Sequence, residues 1–263
     1  MLRAVIADAF GPPENYRLID HDPGAPGPHQ VRVRLHAAGV SFVDVLTARG
    51  GYQVKPPLPF IPGSEGAGVI EAVGANVAPA RIGERVQVNH WGGIYADVIN
   101  VPATSARIIP YSVAFDVAAV FGVSYATAWH ALVQRGDLAA GETLLVLGAG
   151  GATGCAAIEV GKHLGARVIA SASTPEKRAL ALAMGADAAV DSTSQSWRDD
   201  IKAANGGKAF DVVFDPVSGA ATEPAFRALA WKGRHLVIGF AGGPIARLPA
   251  NLPLMKGAAL IGV

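Results

Sequence analysis

The chain has 263 residues, of which 51% are hydrophobic, 16% are charged and 32 are glycine, with a formal net charge of +1. That composition suits large α/β cores and gives no electrostatic basis for binding nucleic acid or an anionic membrane. A single cysteine, Cys155, excludes a disulfide framework and a four-cysteine zinc lobe.

The first residues, MLRAVIADAFG, show neither a long apolar core nor a cleavage-site pattern. The expectation is a cytoplasmic protein without a signal peptide. Residues 1–115 read as a mainly β domain. Val31, Val33 and Leu35 alternate with Arg32, Arg34 and His36, which predicts a strand with one face buried. Residues 68–73 and 85–88 predict further strands, and the proline clusters at 12–13, 23–28 and 56–62 predict loops. Residues 41–49 predict a short helix with Ser41 at its N-cap. His90 and Trp91 lie in a glycine-flanked loop, either on the surface or lining a cleft.

Residues 116–263 alternate strand and helix. Strands are expected at 143–147, 167–171, 188–190, 211–214, 235–238 and 258–263, and a helix is expected from Pro175, after Ser173 and Thr174. This rhythm predicts a doubly wound parallel sheet. The apolar stretch 117–133 is interrupted by Gly122 and carries Ser124, Thr127 and His130. It reads as too short and too mixed to span a bilayer, which takes about 20 apolar residues.

The most informative segment follows Leu144, Leu145, Val146 and Leu147. That apolar run ends in Gly148, Gly150, Gly151 and Gly154, and Ala152 and Thr153 open a small-residue helix before the next strand. Strand, glycine turn, helix, strand is the unit that cradles a dinucleotide pyrophosphate. Backbone without Cβ lets phosphates approach, and a helix N-terminus offers free N–H groups. The spacing is GxGxxxG or GxxGxxG, not GxGxxG, so an ordinary strand-to-helix turn is the competing reading. The second strand ends Ile169-Ala170-Ser171-Ala172-Ser173 with no acid to bond a ribose 2′-hydroxyl, and Lys177 and Arg178 follow. Small hydroxyls and a nearby cation favour NADPH over NADH. The alternative is that Lys177 and Arg178 form a solvated helix face.

Several segments together resemble the zinc-free quinone oxidoreductase branch of the medium-chain dehydrogenase/reductase superfamily. They are residues 38–44 (AGVSFVD), 53–65 (QVKPPLPFIPGSE), 125–128 (YATA), 147–154, 210–217 (FDVVFDPV) and 233–240. The resemblance implies a chaperonin-10-like β-barrel catalytic domain over residues 1–115, an NADPH-binding Rossmann domain over residues 116–263, and a substrate cleft between them. Zinc members of the superfamily use Cys, His and Cys as ligands; those positions match Ser41, Ser64 and Val123, which are poor zinc ligands. Without zinc, hydride transfer to a quinone or another α,β-unsaturated carbonyl is easier than reduction of an isolated carbonyl.

The resemblance also suggests site residues. Ser41, Asp44 and Tyr52 match polar cleft positions, although relatives commonly carry Asn at the place of Ser41. Tyr52 is either an oxyanion donor or a packing aromatic, and Asp44 is an orienting or capping acceptor. Ser64 is expected to bond the loop backbone. Thr127 matches a threonine beside the nicotinamide, and Gly239 and Phe240 complete the cofactor contacts with Gly148, Gly150, Gly151, Ala152, Thr153, Gly154, Ser173, Lys177 and Arg178. Ser192 stands where relatives often place a tyrosine, and Cys155 reads as a small buried residue. No metal ligand set is expected.

The resemblance further implies that residues 256–263 pair across a homodimer. It implies too that family members continue for several tens of residues beyond this point, so the chain reads as incomplete. The leading expectation is an NADPH-dependent quinone or enone reductase. An NADPH-binding sensor or structural protein with little turnover is the alternative.

Overall fold

The computed structural model describes residues 1–263, which form two compact units, Met1–Val123 and Ser124–Val263. In the first, β1 (Arg3–Ile6) and β2 (Arg17–Asp20) pair as an antiparallel ribbon. A five-stranded antiparallel sheet holds the core. Its strands are β3 (Gln30–Ala38), β4 (Glu65–Val73), β5 (Arg85–Asn89), β6 (Val98–Pro102) and β7 (Ala106–Ile108), in the order β6-β3-β4-β5-β7.

The alternation read in β3 sorts its two faces. Val31 and Val33 are fully buried with Ile70, Val86 and Val88, each burial contributing about 1.5–3 kcal/mol. Arg32 and Arg34 instead both bond the Glu71 carboxylate of β4, at 2.6 and 2.9 Å. Gly68 lies where the two strands slip in register: a Cβ there would meet the Arg34 carbonyl oxygen at 2.0 Å. Between β3 and β4 the chain forms α1 (Phe42–Ala48), with Ser41 as its N-cap.

Helix α2 (Phe115–Trp129) runs into a π-helical turn, His130–Arg135. Together they make a 21-residue helix that is long and apolar enough, by length and composition alone, to cross a membrane. This corrects the sequence reading of residues 117–133, because Gly122 does not interrupt the helix. Ala118 and Ala119 are buried within the first unit, and Ala128, Ala131 and Leu132 within the second, so core packing accounts for much of that apolar composition.

The second unit is a six-stranded parallel sheet. Its strands are β8 (Thr143–Leu147), β9 (Arg167–Ala172), β10 (Ala188–Asp191), β11 (Phe210–Asp215), β12 (Leu229–Val237) and β13 (Ala259–Gly262), in the order β10-β9-β8-β11-β12-β13. The central strand β8 feeds two cores. Leu144 and Val146 pack with Ala156, Ala157 and Val160 of α3 (Ala152–His163) and with Ala181 of α4 (Pro175–Ala183). Leu145 and Leu147 pack with Trp197 and Ile201 of α5 (Trp197–Ala204), Phe226 of α6 (Thr222–Arg227) and Leu252 of α7 (Asn251–Lys256). Helices therefore cover both faces, as a fully buried parallel sheet requires.

Strand β12 begins six residues before the expected 235. Lys232 has a φ of +62° and the register slips between Phe210 and Val212. That irregularity, beside exposed Trp231 and Lys232, hides the first half of the strand from a periodicity reading.

Candidate active site

In the first unit, a capping box builds a small polar centre. The Asp44 backbone N–H donates to Ser41 Oγ at 3.3 Å, and the Ser41 N–H and Oγ–H both donate to Asp44 Oδ2 at 2.8 Å. The other carboxylate oxygen, Oδ1, accepts from Ser64 Oγ at 3.0 Å. Ser64 was expected to bond the loop backbone; its hydroxyl goes to Asp44 instead, since the carboxylate is the stronger acceptor. Both serine protons are thus committed to Asp44, and neither hydroxyl as placed donates to a ligand.

Asp44 and Ser64 line a cavity of about 760 Å³ together with Phe60, His90, Trp91 and Ile99. Every lining residue belongs to the first unit, and prolines, valines and isoleucines make up about half of the wall. The His90 backbone N–H donates to the Ser64 carbonyl at 3.0 Å, and its ring bonds the Gly92 carbonyl at 2.8 Å through Nδ1. A carbonyl only accepts, so Nδ1 carries the proton and Nε2 is the nitrogen left for a ligand. Tyr52 packs against Trp91 with ring centroids 5.2 Å apart and the planes tilted by 34°, outside the Ser41–Asp44–Ser64 bonding. Tyr95 donates to the Gly39 carbonyl at 3.3 Å, and burial first and the Asp44 charge second push its hydroxyl far above the usual range.

Glu65 is a group that sequence reasoning missed. It is buried, and it accepts from Gln87 Nε2 at 2.9 Å and from the backbone N–H groups of Gly122 and Val123. Burial raises its carboxyl, and these three donors oppose that rise. Of the three positions that resemble a zinc ligand set, two hydroxyls are bound to Asp44 and the third, Val123, offers only backbone. No group of three or more His, Cys, Asp or Glu in the chain could hold a metal ion, so the residues present do not fit a catalytic zinc.

In the second unit, the predicted cofactor residues gather at the carboxyl edge of the sheet. Gly148 has a φ of +58°, and the Gly151 N–H closes the turn on the Gly148 carbonyl at 3.0 Å. Gly151 caps α3, which leaves the first-turn N–H groups of Ala152, Thr153 and Gly154 without intrahelical acceptors. A Cβ on Gly154 would lie 2.4 Å from the Gly148 carbonyl oxygen, so only glycine lets the helix start this close to the strand. These features fit a dinucleotide pyrophosphate.

Ser173 is exposed just beyond β9, and Thr174 caps α4. Lys177 lays its stem over Gly150, where a Cβ would come within 2.5 Å of it. Arg178 is engaged elsewhere, with the Ala172 carbonyl and with Asp191, both at 3.2 Å. Ser192 bonds its N–H to the same carbonyl. Gly239 and Phe240 follow β12 on the same edge, Phe240 being exposed. Thr127 is half-buried on α2, and no hydrogen bond ties it to the glycine turn. Tyr125, two residues earlier, donates to Glu159 of α3, and burial followed by that carboxylate pushes its hydroxyl up to about 12. Cys155 is half-buried, not fully buried, with Sγ 3.5 Å from the Ala149 carbonyl; burial raises its thiol.

A second missed group stands at the end of β11. Asp215 accepts from the backbone N–H groups of Val217 and Ser218, from Thr222 Oγ1 and from His235 Nε2, all within 2.9 Å. This fixes the 216–218 loop, in which Val217 presses on the glycine turn: a Cβ at Gly148 would lie 2.9 Å from Val217 Cγ2. The signal was present as an aspartate followed by proline at the end of an apolar strand.

Residues 27–111 match the alcohol dehydrogenase GroES-like domain, and residues 152–263 match the zinc-binding dehydrogenase family. Quinone oxidoreductase-like protein 2 of Rattus norvegicus is 42% identical over 239 residues, covering 90% of this chain and 68% of that protein. The chain belongs to the medium-chain dehydrogenase/reductase superfamily. Quinone oxidoreductase of Homo sapiens is 33% identical over 100% of this chain and 80% of its own length. The quinone oxidoreductase of Thermus thermophilus, solved alone and with NADPH, superimposes with a TM-score of 0.85 at 31% identity, over 99% of this chain and 79% of that one. As a superfamily member, the chain is a nicotinamide-dependent oxidoreductase with a GroES-like unit and a Rossmann unit.

Proposed function

We propose that the chain is a zinc-independent, NADPH-dependent reductase that delivers hydride to a quinone or another α,β-unsaturated carbonyl. The observation that carries this reading is the Asp44 carboxylate, which takes both serine protons at the positions that resemble zinc ligands. With no fitting ligand set for a Lewis acid, an acceptor that delocalises its own negative charge is the tractable substrate.

NADPH, when bound, supplies the hydride. The glycine turn and the first N–H groups of α3 hold the pyrophosphate, and Lys177 and Ser173 hold the 2′-phosphate. The apolar wall around Phe60, Trp91 and Ile99 takes the acceptor and excludes water. The acceptor gains the hydride and one further proton, two electrons and two protons in all. His90, whose Nε2 is the nitrogen not bound to backbone, relays the further proton to the acceptor oxygen. Asp44 is a positioning residue here, because it anchors Ser64, whose carbonyl receives the His90 N–H.

The test is steady-state NADPH oxidation with a para-quinone, before and after exhaustive treatment with a strong zinc chelator. Unchanged turnover supports the reading, and turnover that the chelator abolishes and added zinc restores contradicts it.

A further inference from the structure

A second recess in the Rossmann unit gathers positive charge. It encloses about 370 Å³ and is lined by Arg198 at the start of α5, Glu223 and Arg227 of α6, Arg247 of the loop after β12, and Gly219 and Ala220. Arg227 bonds Glu223 through Nε and Nη2, at 2.9 and 2.7 Å. Arg198 and Arg247 have no carboxylate partner. Lys256 adds a fourth cation nearby: burial and then the charges of Arg198 and Arg227 loosen its proton. The two acids in the first turn of α5 do not line the recess, and Asp200 is occupied by Ser194 and Ser196.

Three arginines around one carboxylate line the recess, a local excess of positive charge in a chain whose net charge is +1. Like charges held this close repel unless an anion joins them. Arginine forks match phosphate oxygens in geometry, and the volume lies at the small end of ligand sites. None of the glycine-turn residues lines this recess. Its floor, Gly219 and Ala220, continues the loop that Asp215 holds through Val217 and Ser218, and Val217 packs against Gly148.

We propose that this recess is a second anion site, separate from the dinucleotide turn, that takes a phosphorylated small molecule and steadies the 217–221 loop when filled. The proposal stands whether or not the chain reduces quinones.

Isothermal titration of the chain, alone and with NADPH in excess, tests it with two probes, inorganic pyrophosphate and adenosine 3′,5′-bisphosphate. With NADPH filling the dinucleotide turn, one equivalent of either probe should still bind and weaken as salt rises. Tighter binding of the bisphosphate assigns the site to a nucleotide, and equal binding assigns it to a free phosphoanion. The double variant R198E/R247E should weaken binding about tenfold or more. Both side chains are exposed, so its melting temperature should match that of the parent; R198Q/R247Q should show an intermediate loss. Absence of binding once NADPH is in excess, or unchanged affinity of the NADPH-loaded double variant, would overturn the proposal.

Discussion

His235 donates from Nε2 to Asp215 Oδ2 at 2.9 Å, and both side chains are out of solvent. The pair closes the end of β11, and the same carboxylate holds Ser218 at a φ of +61°, a backbone state that a serine adopts only when its surroundings impose it. Asp215→Ala removes the acceptor of four donors at once. It should cost about 3 kcal/mol or more, because it strands buried partners. Chemical denaturation reads this loss, and dinucleotide affinity should fall with it through Val217.

The same carboxylate sets an acid limb. Burial works to raise its pKa, but the His235 ring, the Ser218 N–H and the Thr222 hydroxyl more than offset that, so it titrates below its ordinary 3.8. A carboxyl with a lowered native pKa stabilises the fold above its ordinary value, and that contribution is lost as pH falls through the lowered native value. Stability against pH should therefore drop below about pH 4, and Asp215→Asn should flatten that part of the curve.

Asp44 ties a helix cap to the neighbouring loop. Asp44→Ala loses the capping box and the Ser64 bond, and should destabilise the GroES-like unit by about 1–2 kcal/mol. Ser64→Ala loses one bond and should cost about 1 kcal/mol. If Asp44 positions His90 through Ser64, both variants lower kcat more than they raise the KM of the acceptor. An unchanged kcat in Asp44→Ala would separate the cap from the chemistry.

Lys177 is held over Gly150 with no carboxylate partner, whereas its neighbour Arg178 is bound to Asp191. Lys177→Ala should raise the KM for NADPH about tenfold or more, the loss of one charge-assisted hydrogen bond, and leave the KM for NADH unchanged. Arg178→Ala should change the ratio of the two less and the stability more.

Much of this architecture is legible in the chain. The strands around Val31 and Leu144 show because each alternates or runs apolar over its whole length, and α1 shows through its Ser41 cap. The capping role of Asp44 follows from its place three residues after Ser41. The full length of α2 is hidden in the sequence because a glycine and three polar residues look like breaks, while the Glu65 carboxylate that meets the Gly122 and Val123 N–H groups comes from a distant strand. The Asp215–His235 pair is hidden for the same reason: the two residues are 20 apart and meet only once β11 and β12 pair. The basic recess is invisible to net charge, since its arginines come from three separate segments and the rest of the chain compensates them.

The most direct test of the proposed reaction is NADPH oxidation by the purified chain with a para-quinone and a simple enone, beside NADH and acceptor-free controls. Loss of NADPH that needs an acceptor, with NADH much slower, is the expected result. Measurable NADPH binding with no acceptor-dependent oxidation would contradict the reductase reading.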